Sequence, residues 1–455
     1  MSTLTGEEHP IALERAEDLA GYFHEFAKTR DQRRVGLEAE FLGVSRRDGR
    51  ALSFEGTGGV EQILEAWAER FGYERLLETG RVIGLRKGDL RIALEPGAQI
   101  ELSAPPVVSV FDVEKQIGTF LEQWREVRKN FQEVSWLAYG IQPVSRLDEI
   151  PWVPKKRYAI MSHYFEGRGT LSHWMMKKTA TNQINLDYSD EQNAMRNLRT
   201  ALGITSIVSA LFAHSPVSEG RASGYRSERL NIWNHTDPAR SGLLPGLLRP
   251  DRTFQDYLDY ILDMPVIFLI REGSWIAVKD RTFRQYLRDG YSGTRATLGD
   301  FELHLSTAFP EVRLKQYIEL RGADAQSPQL ILALAAFWKG ILYDERACCE
   351  AWEVVASARE EDRLRLHAEV PRKGLEASLG DLPIRPMAGE LVGISKRGLE
   401  RQSRETGSPG EGVFLEPVER QILRTGKSPA EAVLESWDGW MGKNSQQLIE
   451  SLEVR

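Results

Sequence analysis

Four short stretches of the chain alternate apolar and oxygen-bearing side chains with a period of two, and this pattern restricts the fold more tightly than any other feature. They read VGLEAEF (35–41), AQIELSA (98–104), TNQINLDY (181–188) and YIELR (317–321). A period of two sends successive side chains to opposite faces of a strand. Val35, Leu37, Ala39 and Phe41 therefore share one face, as do Ile100 with Leu102, Ile184 with Leu186, and Ile318 with Leu320. That face belongs on a core. The opposite face carries Glu38 and Glu40, then Gln99, Glu101 and Ser103, then Thr181, Gln183, Asn185 and Asp187, then Tyr317, Glu319 and Arg321. Glu95 stands just before a Pro96-Gly97 turn that leads into the second stretch.

A sheet with one wet face is ordinary, and polar residues belong there. The composition of this face argues for more. A solvated face mixes both signs of charge, whereas these strands offer Glu, Asp, Asn, Gln and Thr with little lysine apart from Lys315. Crowded carboxylates repel by about 4 kcal/mol per close pair at an effective dielectric of about 20. A divalent cation between them removes that cost. Oxygen-only donors suit magnesium or manganese rather than zinc. Magnesium is commonly held by a few carboxylates together with substrate phosphates, so a nucleotide is its natural companion. Arg321, beside Glu319, can then clamp a phosphate while the carboxylate holds the metal. Further cations gather in 225–245 (Arg226, Arg229 and Arg240, with Trp233) and in 309–317 (Arg313, Lys315). Fixed guanidiniums recognise carboxylates and phosphates in a bidentate manner. Arg226 alone reads as a solvated surface group.

The rest of the chain frames these strands. Apolar periodicity predicts helices over 60–71 and 110–131, near 11–28, 155–166, 190–213, 254–263 and 325–343, and over roughly the last seventy residues. Further strands are expected in RIALEP, WLAYGIQP and the hairpin-like pair PVIFLI and SWIAV. Strands and helices do not alternate strictly, which excludes a doubly wound parallel sheet. The expectation is one α+β domain over 1–455, mainly antiparallel, with a largely helical part from about residue 325. Hydrophobic and charged contents of 41% and 27% are ordinary for a soluble globular protein. A net charge of −7 argues against a nucleic-acid binder. LILALAAFW (330–338) is too short to span a bilayer and reads as a buried helix. The opening MSTLTGEEHP lacks the regions of a signal peptide, so a cytoplasmic protein is expected. Cys348 and Cys349 are adjacent and read as two packed thiols. GTGG (56–59) reads as a turn and TGKS (425–428) as a helix–loop junction. No HExxH or Cys/His zinc spacing is present, and no Ser/His/Asp or Cys/His constellation points to a protein nucleophile.

Longer runs carry a resemblance. ALEPGAQIELSAPP, PKKRYAIMSHYF, MMKKTATNQINLDY, LFAHSPVSEG, NIWNHTDPARSGLLP, TFRQYL, FPEVRLKQYIELRGAD, AFWKGILYD and RTGKSPAE follow VGLEAEF in order from about residue 35 to 435. This pattern resembles the plant-type glutamate–cysteine ligases, which also occur in bacteria. The resemblance implies a glutamine-synthetase-like fold, with a curved antiparallel sheet forming a bowl and helices outside. It implies ATP- and magnesium-dependent joining of L-glutamate to L-cysteine, on the way to glutathione or ergothioneine, by a monomer or homodimer that binds neither nucleic acid nor membrane. It places the metal at Glu38, Glu40, Glu95, Glu101 and Glu319 with Asn185 nearby. It gives Arg321 and Arg313 catalytic roles, sets Arg321 and Lys315 against ATP, and puts Thr179, Thr181, Arg229, Trp233 and Arg313 around glutamate. The chain departs from the plant enzymes at Ala180, where they have cysteine, and lacks their disulfide-forming cysteines, so no thiol switch is carried over. It departs again at Asn234 and His235, where the family runs IWTDTDP. Two alternatives remain at this point: a related ligase with another amine acceptor, and a catalytically silent binding protein on the same scaffold.

Overall fold

The computed structural model describes residues 11–454. The MSTLTGEEHP segment lies outside the described residues. Among these, nine strands form one sheet: β1 (Val35–Ser45), β2 (Glu74–Glu78), β3 (Arg81–Lys87), β4 (Leu90–Leu94), β5 (Ile100–Val107), β6 (Val134–Leu137), β7 (Asn182–Leu186), β8 (Val312–Leu314) and β9 (Ile318–Leu320). Their order is β8-β9-β7-β1-β5-β4-β3-β2, with β6 on the far end of β1. Each of these pairings is antiparallel.

The apolar face lies on helices Val110–Arg128, Glu191–Leu211 and Pro328–Leu342. Ser109 and Asp190 cap the first two by accepting the backbone N–H of Asp112 and Asn193, which satisfies donors a helix start leaves orphaned. Under β1 the core is aromatic. Phe41, Trp67, Phe120, Trp124 and Trp136 form one stack, with the Trp124 and Trp136 rings 3.7 Å apart and 2° from parallel. Phe41 is the neighbour of Glu40 along β1, so the stack fixes the pleat that aims the carboxylate the other way.

Most expected elements are present. The hairpin is real, at Phe268–Arg271 and Ser274–Ala277, but forms a separate ribbon. WLAYGIQP leaves the sheet after Leu137. Residues 11–28 form two short 3-10 turns, Ala16–Leu19 and Tyr22–Phe26, instead of a helix. From Pro328 the regular structure is helical apart from a ribbon of two two-residue strands, Ser378–Leu379 and Leu382–Pro383, and the bridge of Glu453 to Leu137. Cys348 is buried while Cys349 is exposed, so only one thiol is packed. TGKS ends in Ser428, the residue preceding helix Pro429–Asp438, as a junction should. Among the described residues no helix is long and apolar enough to cross a membrane.

Replacing Trp136 with alanine should destabilise the protein by about 3–5 kcal/mol in chemical denaturation. Trp136→Phe should recover most of that loss, and equal losses would show that stacking is not what holds β1.

Candidate functional site

Sheet register turns four separate stretches into one surface. Glu40 on β1 stands directly opposite Glu101 on β5. Glu38 stands between Ser103 and Gln183 on its two neighbours. Asn185 lies opposite Glu319, and Glu319 opposite Arg313. Glu95 follows β4 in a turn closed by its N–H to the Gln99 carbonyl at 2.9 Å. Gly97 in that turn runs against the Lys177 carbonyl, where a Cβ would sit 2.2 Å from the oxygen. Only glycine allows so close an approach. Gln99 ties the same turn to the Met176 and Thr179 carbonyls.

The acidic part of this surface is under electrostatic stress. Burial, with Glu95 and Glu101 nearby, pushes the Glu40 carboxyl well above its usual range. Burial, with Glu38 and Glu95, raises Glu101 to about 7. Partial compensation comes from Asn185 Nδ2 donating to Glu38 (3.1 Å), Thr181 N to Glu40 (3.0 Å) and Ser103 Oγ to Glu101 (2.8 Å). Glu95 Oε1 and Asn185 Oδ1 are buried with no hydrogen-bond partner. Among the described residues no three Asp, Glu, His or Cys groups close around a single point as a preformed cage. The donors fit a hard cation that takes one or two carboxylates and completes its shell from phosphate and water.

Glu319 differs from the other expected ligands. It is fully buried, and both oxygens are taken by protein cations. Arg313 Nη2 donates to Oε1 at 2.8 Å, Arg321 Nη1 to Oε2 at 2.8 Å, and Lys315 Nζ lies 3.7 Å away. Burial would raise this carboxyl, but Arg313, Lys315 and Arg321 together hold it well below the usual range. Arg313 is itself fully buried, and its Nη1 donates to the Ser306 and Ala308 carbonyls. The structure therefore gives Arg313 a different place from the substrate-facing one expected: it anchors Glu319, which holds Arg321. Arg321 also donates to Gln183.

Beyond Arg321 stands a second wall. Helix Glu228–Asn234, capped by Ser227, presents Arg229 and Trp233. Arg229 Nη2 donates to the Arg321 carbonyl at 2.9 Å, while its Nε and Nη1 and the Trp233 Nε1 find no hydrogen-bond acceptor. The Trp233 ring lies 5.8 Å from the Arg229 guanidinium and 5.7 Å from that of Arg321. Asp324 Oδ1 lies 4.0 Å from Arg229 Nη1, an ion pair without a hydrogen bond, so the buried N–H groups keep capacity for an incoming carboxylate. The Thr179 and Thr181 hydroxyls donate to the Met175 and Ala323 carbonyls, leaving their lone pairs. Asn234 donates to the His367 carbonyl, and the exposed His235 ring folds back on the Asn231 carbonyl. Arg226 pairs with Glu431, and Arg240 is locked to Asp237, Thr307 and Pro265.

Three buried charges have no counterpart in the sequence-based site. Asp324 accepts from His214 N (2.7 Å), Ser215 Oγ (2.7 Å) and Ser227 Oγ (2.8 Å). Lys155 and Arg157 lie beside Glu95 and Glu101; burial and Arg157 bring Lys155 down to about 7. In PKKRY they look like an ordinary solvated basic run, and no spacing signal marks them.

Glu101→Gln should stabilise the metal-free protein, raising its melting temperature by about 2 °C or more in EDTA. The sign follows from linkage. A carboxyl raised on folding costs stability as pH climbs from its unfolded value towards about 7. The gain should therefore be larger at pH 8 than at pH 5, and no gain at either pH would show that the charges are not in conflict.

A family model described as glutamate-cysteine ligase family 2 matches residues 34–451. The chain is 37% identical over 440 residues to the chloroplastic glutamate–cysteine ligase of Nicotiana tabacum, covering 96% of this chain and 82% of that one. It is 36% identical over 451 residues to the chloroplastic enzyme of Arabidopsis thaliana, covering 98% and 84%. A crystal structure of glutamate–cysteine ligase from Francisella tularensis in complex with AMP shares the fold, with TM-score 0.57 and 13% identity over 92% of this chain and 89% of that one. The names of the plant relatives overturn the cytoplasmic expectation, since each places its protein in the chloroplast. An ordinary-looking N-terminal sequence was weak ground for a compartment. By the family match and by these relatives, the chain belongs to glutamate-cysteine ligase family 2.

Proposed function

We propose that the protein joins the γ-carboxylate of L-glutamate to the amino group of L-cysteine at the expense of ATP, giving γ-glutamylcysteine, the first step of glutathione synthesis. The observation that carries this reading is the direct opposition of Glu40 and Glu101, buried beside an arginine wall. Such like charges suit a site completed by a cation and an anionic substrate. In this reading the polar face is the floor of a bowl, and helix Glu228–Asn234 is part of its rim.

Glu38, Glu40, Glu95 and Glu101, with Asn185, are the groups to hold magnesium or manganese. An ion held there would supply positive charge to the phosphoryl oxygens. Arg229 and Trp233 receive glutamate, whose carboxylate supplies the guanidinium N–H groups with the hydrogen-bond acceptor they lack. A carboxylate is a poor acylating agent, so a γ-oxygen first attacks the γ-phosphorus of ATP and ADP leaves. Arg321, held by Glu319 and Gln183, stabilises the transferring phosphoryl group. Lys315 adds positive charge beside it. Glu319 and Arg313 act through Arg321 as positioning residues. The cysteine amine then attacks the acyl carbon, forming the C–N bond as the C–O bond to phosphate breaks, and the amine proton leaves with phosphate or to water. No protein nucleophile is needed.

ADP release should require glutamate, cysteine and magnesium together, vanish with EDTA and return with excess magnesium. A different amine preferred in an acceptor screen would sink the cysteine assignment. Arg229→Gln should raise KM for glutamate about 100-fold and leave KM for ATP near wild type. Glu319→Gln should lower kcat by several orders of magnitude; near-normal turnover would remove Glu319 from the machinery.

A further inference from the structure

Where β1 begins and β7 ends, the chain meets a second charged region. Arg33 and Arg34 lead into β1, and Ser189 and Asp190 follow β7. The Tyr343 hydroxyl joins the two ends, donating to the Arg34 carbonyl and accepting the Asp187 N–H at 2.8 Å. A cavity of about 520 Å³ opens beside this junction, among helices Glu191–Leu211, Glu345–Glu353 and Ile384–Thr406. No residue of the carboxylate row lines it. Its volume falls in the usual range for small-molecule sites, roughly 300–1,000 Å³. Apart from Leu342 and the Tyr343 ring its walls are polar or charged, which excludes an apolar ligand.

Five arginines and four carboxylates line this cavity, and their pairing leaves one cation over. Arg30 pairs with Glu405, Arg196 with Glu345 at 2.8 Å, Arg401 with Asp344 at 2.7 and 2.9 Å, and Arg346 with Glu350 at 2.7 Å. The remaining carboxylate, Asp190, is taken by its own helix start, accepting the Asn193 N–H and the Ser189 hydroxyl, each at 2.8 Å. Among the described residues Arg33 makes no ion pair. Its guanidinium lies 5.6 Å from the centre of the Tyr343 ring, and its Nε is buried without an acceptor, as is that of Arg196. Burial pushes the Arg33 guanidinium below its ordinary value.

We propose that this cavity binds a small phosphate-bearing anion, held by Arg33 with help from Arg30 and Arg196, at a site separate from the carboxylate row. A phosphate group carries a charge of about −2 and three strong acceptor oxygens. It can take the fork of Arg33 and still reach the donors that Glu345 and Glu405 leave on Arg196 and Arg30. A single carboxylate, planar and with less charge, would satisfy Arg33 alone. Glu38 stands five residues beyond Arg33 along extended chain, roughly 17 Å at about 3.4 Å per residue. The site goes beyond the ligase reading and does not depend on it.

The test is calorimetric titration of the full chain with sodium pyrophosphate in EDTA, comparing wild type with Arg33→Gln and Arg196→Gln. Citrate serves as the carboxylate probe. Pyrophosphate should bind the wild type, and each variant should bind it about ten-fold more weakly. Citrate should bind the wild type at least about ten-fold more weakly than pyrophosphate does. Pyrophosphate should raise the melting temperature of the wild type more than that of Arg33→Gln. KM for ATP and for glutamate should stay at the wild-type value in both variants. An unchanged melting temperature without ligand separates lost binding from lost folding, and if Arg33→Gln fails to fold, Arg196→Gln decides. No pyrophosphate binding by the wild type overturns the proposal. So does wild-type affinity in both variants, which puts the pyrophosphate elsewhere. Citrate binding as tight as pyrophosphate binding overturns the phosphate assignment, and a raised KM for ATP in Arg33→Gln overturns the separation from the catalytic site.

Discussion

Register along β1 is the constraint on which the site depends. Side chains alternate with a period of two, so a slip of one residue against β5 or β7 would exchange Glu38 and Glu40 for Leu37 and Ala39. The carboxylates would enter the aromatic core and the leucine would face water. Burial of the apolar face on three helices makes that slip prohibitive. The hydrophobic core thus holds the acidic row in place. The same frame explains how Glu40 and Glu101 persist opposite each other: their repulsion is small beside the loss of the whole apolar face.

The two halves of the polar face treat charge in opposite ways. On β1 and β5 carboxylates are crowded, and burial beside one another raises Glu40 and Glu101 above the usual carboxylate range. On β8 and β9 a single carboxylate is surrounded by Arg313, Arg321 and Lys315. A buried ion cluster of this kind contributes little net stability and depends on all its members. Its effect here is geometric, since Arg321 is aimed across the sheet by a carboxylate that cannot move. An acidic region with unfilled coordination beside a positive region with unfilled donors suits a ligand that is an anion bridged by cations.

Much of this was legible in the sequence because period-two alternation survives translation into structure. Glu38, Glu40, Glu101, Asn185 and Glu319 lie on the polar face as their spacing requires. What spacing cannot reveal is enclosure. Glu319 follows the same pattern as Glu101, yet its neighbours on β8 come from a stretch too short to read as a strand. β2 and β3 carry no such signal, for a related reason: Leu77 is exposed and Leu76 and Ile83 half-buried, so no clean alternation marks that edge. The turns at 16–26 carry a helical spacing of apolar residues but make only 3-10 bonds. Lys155 and Arg157 illustrate the limit most plainly, because only the tertiary fold decides whether a basic run is wet or buried.

Asp324 closes the stretch YIELRGAD and is nearly inaccessible. It gathers donors from residues 214, 215 and 227, and Gly140 abuts its Cβ closely enough that a side chain there would clash. One of those donors, Ser227, begins the helix that carries Arg229. The guanidinium is therefore oriented by the folded chain before any ligand arrives. An arriving carboxylate need not freeze a long, rotamer-rich side chain, and the entropy usually lost at that moment has already been surrendered during folding.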